Sequence, residues 1–186
     1  MPGADPRAMS HSWLFTGPPG SGRSLAAIDF AAALMCTDPE EPGCGRCEAC
    51  RAVLETKQHT DLVLVDPQEV IIPVDTVREV IGRAASLPTV APWRVVIFNN
   101  ADRLNNNGAN ALLKTVEEPP ARTVIIMCAP SDAPEDFSQT LRSRCRHLYI
   151  PSPSVESITA QLVSEGASDH DAHLAALTSC LLYTSD

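Results

Sequence analysis

No stretch of this sequence approaches the roughly 18 consecutive apolar residues that a membrane-crossing helix requires, so no span is expected. The first residues, MPGADPRAMSHSW, lack the apolar core of a secretory signal. A cytoplasmic location is the expectation that follows. A basic excess is missing too: 14 Lys and Arg stand against 23 Asp and Glu, giving a net charge of −9. Proteins that grip DNA unaided rely on phosphate contacts from a basic face. Two classes remain: a protein with no nucleic-acid role, or one member of an assembly whose other subunits supply positive charge. Internal repeats and low-complexity tracts are also absent.

What is present suits a globular protein. The chain has 186 residues, 44% hydrophobic and 20% charged, enough for one full α/β domain and part of a second. Short apolar runs predict strands at 12–16 (SWLFT), 62–65 (LVLV), 94–98 (RVVIF), 123–127 (TVIIM) and 147–150 (HLYI). Helical spacing links Leu25, Ile28, Ala32 and Met35, and again Val74, Val77, Ile81 and Ala84. A short helix is predicted at 49–57, and another at 105–118, stopped by Pro119-Pro120. Strands alternating with helices imply parallel βαβ units, and continuous apolar strands imply a sheet covered on both faces. After Pro151–Pro153 two helices follow, near 155–165 and 169–180, with no strand between them. They are expected to begin a small helical domain. The closing SCLLYTSD carries no helix stop, and about 33 residues make a marginal domain, so a truncated C-terminus is expected.

The first strand runs into GPPGSGRS, Gly17 to Ser24, just before a helix. This fits the phosphate-loop pattern G-x-x-x-x-G-K-[ST], with Arg23 in the lysine position. Gly17, Gly20 and Gly22 would let backbone N–H groups converge on phosphate, and Ser24 would offer a hydroxyl to Mg²⁺. A guanidinium is larger and planar, which puts a tight cradle around phosphate in doubt. The alternative is a tight strand-to-helix turn that binds nothing. Acids for Mg²⁺ and for water activation are expected at the end of a neighbouring strand. RVVIF ends instead in Asn99-Asn100, which carry no charge, with Asp102 expected to lie past the strand end. ATP and Mg²⁺ are therefore doubtful ligands.

Seven cysteines in a chain without a secretory signal argue for reduced thiols or a metal site. Cys36, Cys44, Cys47 and Cys50 give C-x₇-C-x₂-C-x₂-C, a spacing that lets four thiolates converge on one tetrahedral ion. A four-thiolate site is closed and structural, and Zn²⁺ is the expected ion. The alternative is a redox pair, which commonly uses a single C-x-x-C at a helix start. His59 is not expected to be a ligand.

Three segments together resemble one family. GPPGSGRS followed by the four cysteines, ANALLKTVEEPP at 109–120 and LRSRC at 141–145 are similar to the bacterial clamp-loader AAA+ subunits of DNA polymerase III. The resemblance implies a P-loop AAA+ α/β domain over 1–151 with a zinc module inserted at 36–50. It also implies the start of a helical lid at 152–186, with the family's C-terminal collar absent. It implies gamma/tau motor subunits and the delta subunit as partners, with the sliding clamp and primed DNA met inside the assembly. Motor subunits keep the Walker lysine and an acidic pair. Arg23, Asn99 and Asn100 place this chain with the non-hydrolysing subunit type, and the family's sensor threonine would fall near Cys128-Ala129, where none stands. By the same resemblance, Arg144 of the SRC motif is a trans arginine finger pointing at a neighbour's γ-phosphate. The bland reading makes Arg142, Arg144 and Arg146 a solvated basic stretch, and ANALLKTVEEPP mostly packing. Other functions consistent with parts of the sequence are an active P-loop ATPase motor and a zinc-dependent protein-interaction module.

Overall fold

The computed structural model describes residues 10–164 and 166–182. Five parallel strands form one sheet: β1 (Ser12–Thr16), β2 (Leu62–Val65), β3 (Arg94–Phe98), β4 (Thr123–Ala129) and β5 (Arg146–Tyr149). Their order across the sheet is β2-β3-β4-β1-β5, with every pair parallel. The helices are α1 (Arg23–Met35), α2 (Glu48–Arg51), α3 (Val74–Ala84), α4 (Asn106–Glu117), α5 (Gln139–Arg142), α6 (Val155–Ser164) and α7 (Asp169–Leu182). Among the described residues no helix is long and apolar enough to cross a membrane.

Alternation along the strands sorts the core into two layers. Leu14, Val96, Phe98, Ile125 and Met127 face α3 and α4, where they meet Val77, Val80, Leu112 and Val116. Phe15, Val95, Ile97, Val124 and Ile126 face α1 and the turn that follows α2, where they meet Ile28, Ala31, Met35 and Val53. The central strands are thus buried on both faces, which explains their unbroken apolar runs. β5 departs from that expectation: Leu148 and Tyr149, which point to opposite faces, are both exposed, because β5 is the outermost strand and the covering helices pack on β1, β3 and β4.

Other departures are local. β4 runs two residues past the predicted TVIIM, because Cys128 and Ala129 pair with Phe15 and Thr16 of β1. The helix expected at 49–57 is α2 followed by a π-helical turn, Ala52–Thr56. Gln58 N–H reaches back to Ala52 O, and Lys57 adopts a left-handed φ of 54° that ends the segment. A 3₁₀ turn at Ala101–Arg103 and the one-turn α5 had no periodicity long enough to announce them. α6 and α7 pack on each other, as the two-helix pattern after Pro153 led one to expect. Of the closing SCLLYTSD, residues 183–186 lie outside the described residues.

Candidate functional site

Parallel strands give the sheet two chemically different ends, one holding every strand's N-terminus and the other every C-terminus. The Gly17–Ser24 loop leaves the C-terminal end of β1 and enters α1. Gly20 and Gly22 hold φ of 79° and 81°, a left-handed conformation that only glycine takes without strain. Gly17 is needed for space, since a Cβ there would collide with the Ile150 carbonyl and the Ser21 side chain. No side chain caps α1 and its first turn holds no acid, so its N-terminal N–H groups face the loop.

Arg23 answers the loop from within. Its Nη1 donates to Gly17 O at 2.7 Å and Pro18 O at 3.0 Å, while its buried Nε has no partner. The guanidinium is therefore folded onto the loop's own carbonyls. Asn99 and Asn100 stand at the end of β3, as the sequence indicates. Asn99 Nδ2 donates to Asp66 at 3.4 Å, its Oδ1 is buried and unpaired, and Asn100 turns the chain at a φ of 51°. Asp102 sits beyond the strand in the 3₁₀ turn. Partial burial raises its pKa, against the opposing pull of Arg23 and Arg103. Cys128, next to last in β4, packs beside the loop, and burial pushes its thiol up to about 12.

The four cysteines meet on the α1 side of the sheet. Their sulfurs all lie within 4.8 Å of one another. Cys36 Sγ is 3.6 Å from Cys44 Sγ and 3.9 Å from Cys47 Sγ. A tetrahedral ion with Zn–S bonds of about 2.3 Å separates its sulfurs by about 3.8 Å, so the residues fit. Cys36 follows the last turn of α1, Gly43 and Gly45 adopt left-handed φ around Cys44, and Cys47 caps α2 by accepting from Cys50 N–H at 3.4 Å. Backbone hydrogen bonding from Thr37 and Cys50 brings the Cys47 thiol down to about 6, while burial pushes Cys50 up to about 12. His59 is not in this group; its Nδ1 accepts from Asp61 N–H.

The SRC turn lies at the N-terminal ends of the strands. β5 pairs with β1 in the register Trp13↔Arg146 to Thr16↔Tyr149, so Arg144 precedes the N-terminal end of β5. Trp13 to Gly17 is four strand residues, ~13 Å of separation between the two ends of the strands. Each of the three arginines meets a partner within the chain. Arg142 Nε binds Asp132 at 2.9 Å, Arg144 Nε binds Glu117 at 2.5 Å, and the Arg146 guanidinium lies 5.5 Å from the centroid of the Trp13 ring. Arg144 Nη1 also donates to Thr140 O at 2.8 Å. Cys145 packs against the core, and its thiol is pushed up to about 12 by burial. On α4, Leu112 and Val116 are buried and Leu113 is half-buried, while Asn110, Lys114 and Glu117 are exposed, as is Glu118 just past its end.

Sequence reasoning missed two pairings. Asp61 and Arg94 form a buried ion pair at 2.9 Å, and Glu117 holds Arg144. The partners are 33 and 27 residues apart, and no local pattern joins them.

A parallel five-stranded sheet, a glycine loop leading into α1 and helices on both faces define the chain as a P-loop protein of the AAA+ fold. The same fold occurs in a gamma subunit-related DNA polymerase III protein of Thermotoga maritima. The TM-score is 0.58 at 20% identity, over 86% of this chain and 49% of that one. The family model described as "DNA polymerase III, delta subunit" matches residues 4–154, and the chain belongs to that family, on its delta-prime branch. The Pseudomonas aeruginosa DNA polymerase III subunit delta' is 35% identical over 165 residues, 85% of this chain and 49% of that protein. The gamma/tau subunit of Mycobacterium tuberculosis is 33% identical over 166 residues, 87% of this chain and 28% of that protein. The chain therefore spans about half the length of its delta-prime relative.

Proposed function

We propose that this chain is a non-hydrolysing clamp-loader subunit of the bacterial replicative DNA polymerase III. It completes the ATP site of a neighbouring gamma/tau motor subunit with Arg144 and has no ATPase activity of its own. Residues up to about 151 form the AAA+ domain, and the helices after it begin a lid. Its working place is the cytoplasm, in a ring with motor and delta subunits that opens the sliding clamp and sets it on primed DNA.

One observation carries the reading: Arg144 and the phosphate loop stand at opposite ends of the neighbouring parallel strands β5 and β1. Such an arginine is out of reach of its own loop but presented to whatever docks at the N-terminal ends of the strands. The loop itself supports the division of labour. Arg23 is spent on Gly17 O and Pro18 O, and β3 ends in two neutral amides where a magnesium ligand and a water-polarising acid are needed. Cys36, Cys44, Cys47 and Cys50 would hold one Zn²⁺, which ties a core-poor insertion into a fixed shape and takes no part in the reaction. The net charge of −9 is consistent with DNA being met only through the assembly.

The test is ATP turnover in a loader reconstituted from the full-length chain, with only the adjacent motor subunit able to hydrolyse. Arg144→Ala is expected to slow that site by ~10³–10⁵, the usual contribution of an arginine finger, and to leave assembly intact. Unchanged turnover removes the finger. Brisk hydrolysis by the isolated chain would instead favour a motor role.

A further inference from the structure

We infer that Glu117 is the positioning residue of the Arg144 finger, an inference that rests on the trans-finger reading above. The Glu117 carboxylate accepts from Arg144 Nε at 2.5 Å. Nη1 is engaged by Thr140 O at 2.8 Å and Ser143 Oγ at 3.2 Å. The remaining nitrogen, Nη2, makes no hydrogen bond among the described residues. One side of the planar fork is thus fixed to the protein, and two N–H donors are left for a ligand.

Two further observations separate this pair from an ordinary surface ion pair. First, Glu117 is the last residue of α4, where the negative end of the helix dipole disfavours an acid. A residue that breaks a local rule is expected where function or a distant partner requires it. Arg144 is that partner, and its charge also offsets the dipole. Second, the anchor is rigid. Ser12, buried in β1, donates from Oγ to Val116 O at 3.2 Å, and Val116 is itself buried. The last turn of α4 is therefore pinned to the sheet one residue before Glu117. Arg144, Glu117, Ser12 and Val116 line one recess of about 230 Å³.

Exposed ion pairs contribute little to stability, so the value of this one lies in geometry. A free arginine samples many rotamers, whereas one held at Nε presents Nη2 in a fixed direction. Glu117 also keeps the guanidinium neutralised until a stronger anion, the phosphate of a neighbour's nucleotide, shares it.

The experiment uses the same reconstituted loader, with Arg144→Ala, Glu117→Ala and the double variant. Glu117→Ala is expected to lower kcat roughly 10- to 100-fold, the cost of a misplaced catalytic group, with KM for ATP and ring assembly unchanged. It is expected to add nothing to Arg144→Ala, and Glu117→Gln, which keeps the acceptor, retains most of the rate. Glu117→Ser repeats the measurement if the alanine variant assembles poorly. An unchanged kcat in Glu117→Ala beside a slow Arg144→Ala overturns the role of Glu117 and leaves the finger standing. Additive losses also overturn it, because Glu117 then acts elsewhere. Full activity of Arg144→Ala removes the finger and this inference with it.

Discussion

Asp61 and Arg94 face each other at the N-terminal ends of β2 and β3, Nη2 to Oδ1 at 2.9 Å, with the Asp61 side chain wholly buried and that of Arg94 nearly so. Asp61 also accepts from the N–H groups of Thr89, Val90 and Ala91 at 2.7 to 3.0 Å. Arg94 Nη1 donates to Arg83 O, Ser86 O and Ser86 Oγ. The pair thus stitches the 86–91 loop to the sheet. A buried pair that loses one partner leaves the other charge stranded, which costs about 3–5 kcal/mol. Whole domains are stable by about 5–15 kcal/mol, so Asp61→Ala is expected to remove a large share. Urea unfolding of both proteins at pH 7 measures it.

The same pair sets an acid dependence. Burial alone would raise the Asp61 pKa, but donation from Ala91, Val90, Thr89 and Arg94 outweighs it and holds the carboxyl well below the usual range. A depressed folded pKa gives stability that is present above the unfolded value of about 3.9 and is lost as pH falls below it. The wild type is expected to lose stability steeply below pH ~4, and Asp61→Ala to show a shallower acid limb. Equal slopes in unfolding from pH 5 to pH 2 would refute this.

Metal analysis of the purified chain is expected to find one Zn²⁺. Removing it with a chelator, or substituting the buried Cys50 by Ser, should make the segment around 36–50 sensitive to protease while the sheet stays folded. Structural zinc contributes about 10–16 kcal/mol of apparent binding energy, far more than the few buried side chains of this segment supply. Indifference of the proteolysis pattern to chelation would count against a structural role.

Arg23→Lys is expected to give no ATP turnover in the isolated chain. The lysine can reach phosphate as a point charge, but Asn99 and Asn100 still supply neither charge nor base. A site without a general base loses ~10²–10⁴ in rate. Calorimetry with ATP and Mg²⁺ separates restored binding from restored chemistry, and turnover in this variant would overturn the assignment of Asn99-Asn100 as the lesion.

Gly17→Ala is expected to destabilise the chain by about 1–3 kcal/mol, the range for forcing an extra group into a packed site. The obstacle is the Ile150 carbonyl, which is itself fixed by Ile150 N–H donating to Thr16 O at 2.7 Å. Thermal unfolding of the two proteins decides it, and an unchanged midpoint would show that β5 can shift.

Much of the molecule was written locally. Unbroken apolar runs such as RVVIF announce central strands because both their faces are buried, and Leu112, Val116 and their neighbours announce α4 by period. The C-x₂-C spacings announce the thiol cluster because two residues between ligands suffice to turn two sulfurs inward. The glycine loop and its arginine are equally legible, being eight consecutive residues. Tertiary structure alone decided how Arg23 is used, since its carbonyl partners are set by the path of the loop. It alone paired Asp61 with Arg94 and Glu117 with Arg144, because strand register and the crossing of α4 bring together residues that share no period. Local sequence fixes which backbone states and which faces are favourable, but long-range juxtaposition depends on how the faces stack, and that is settled only when the sheet and its helices assemble.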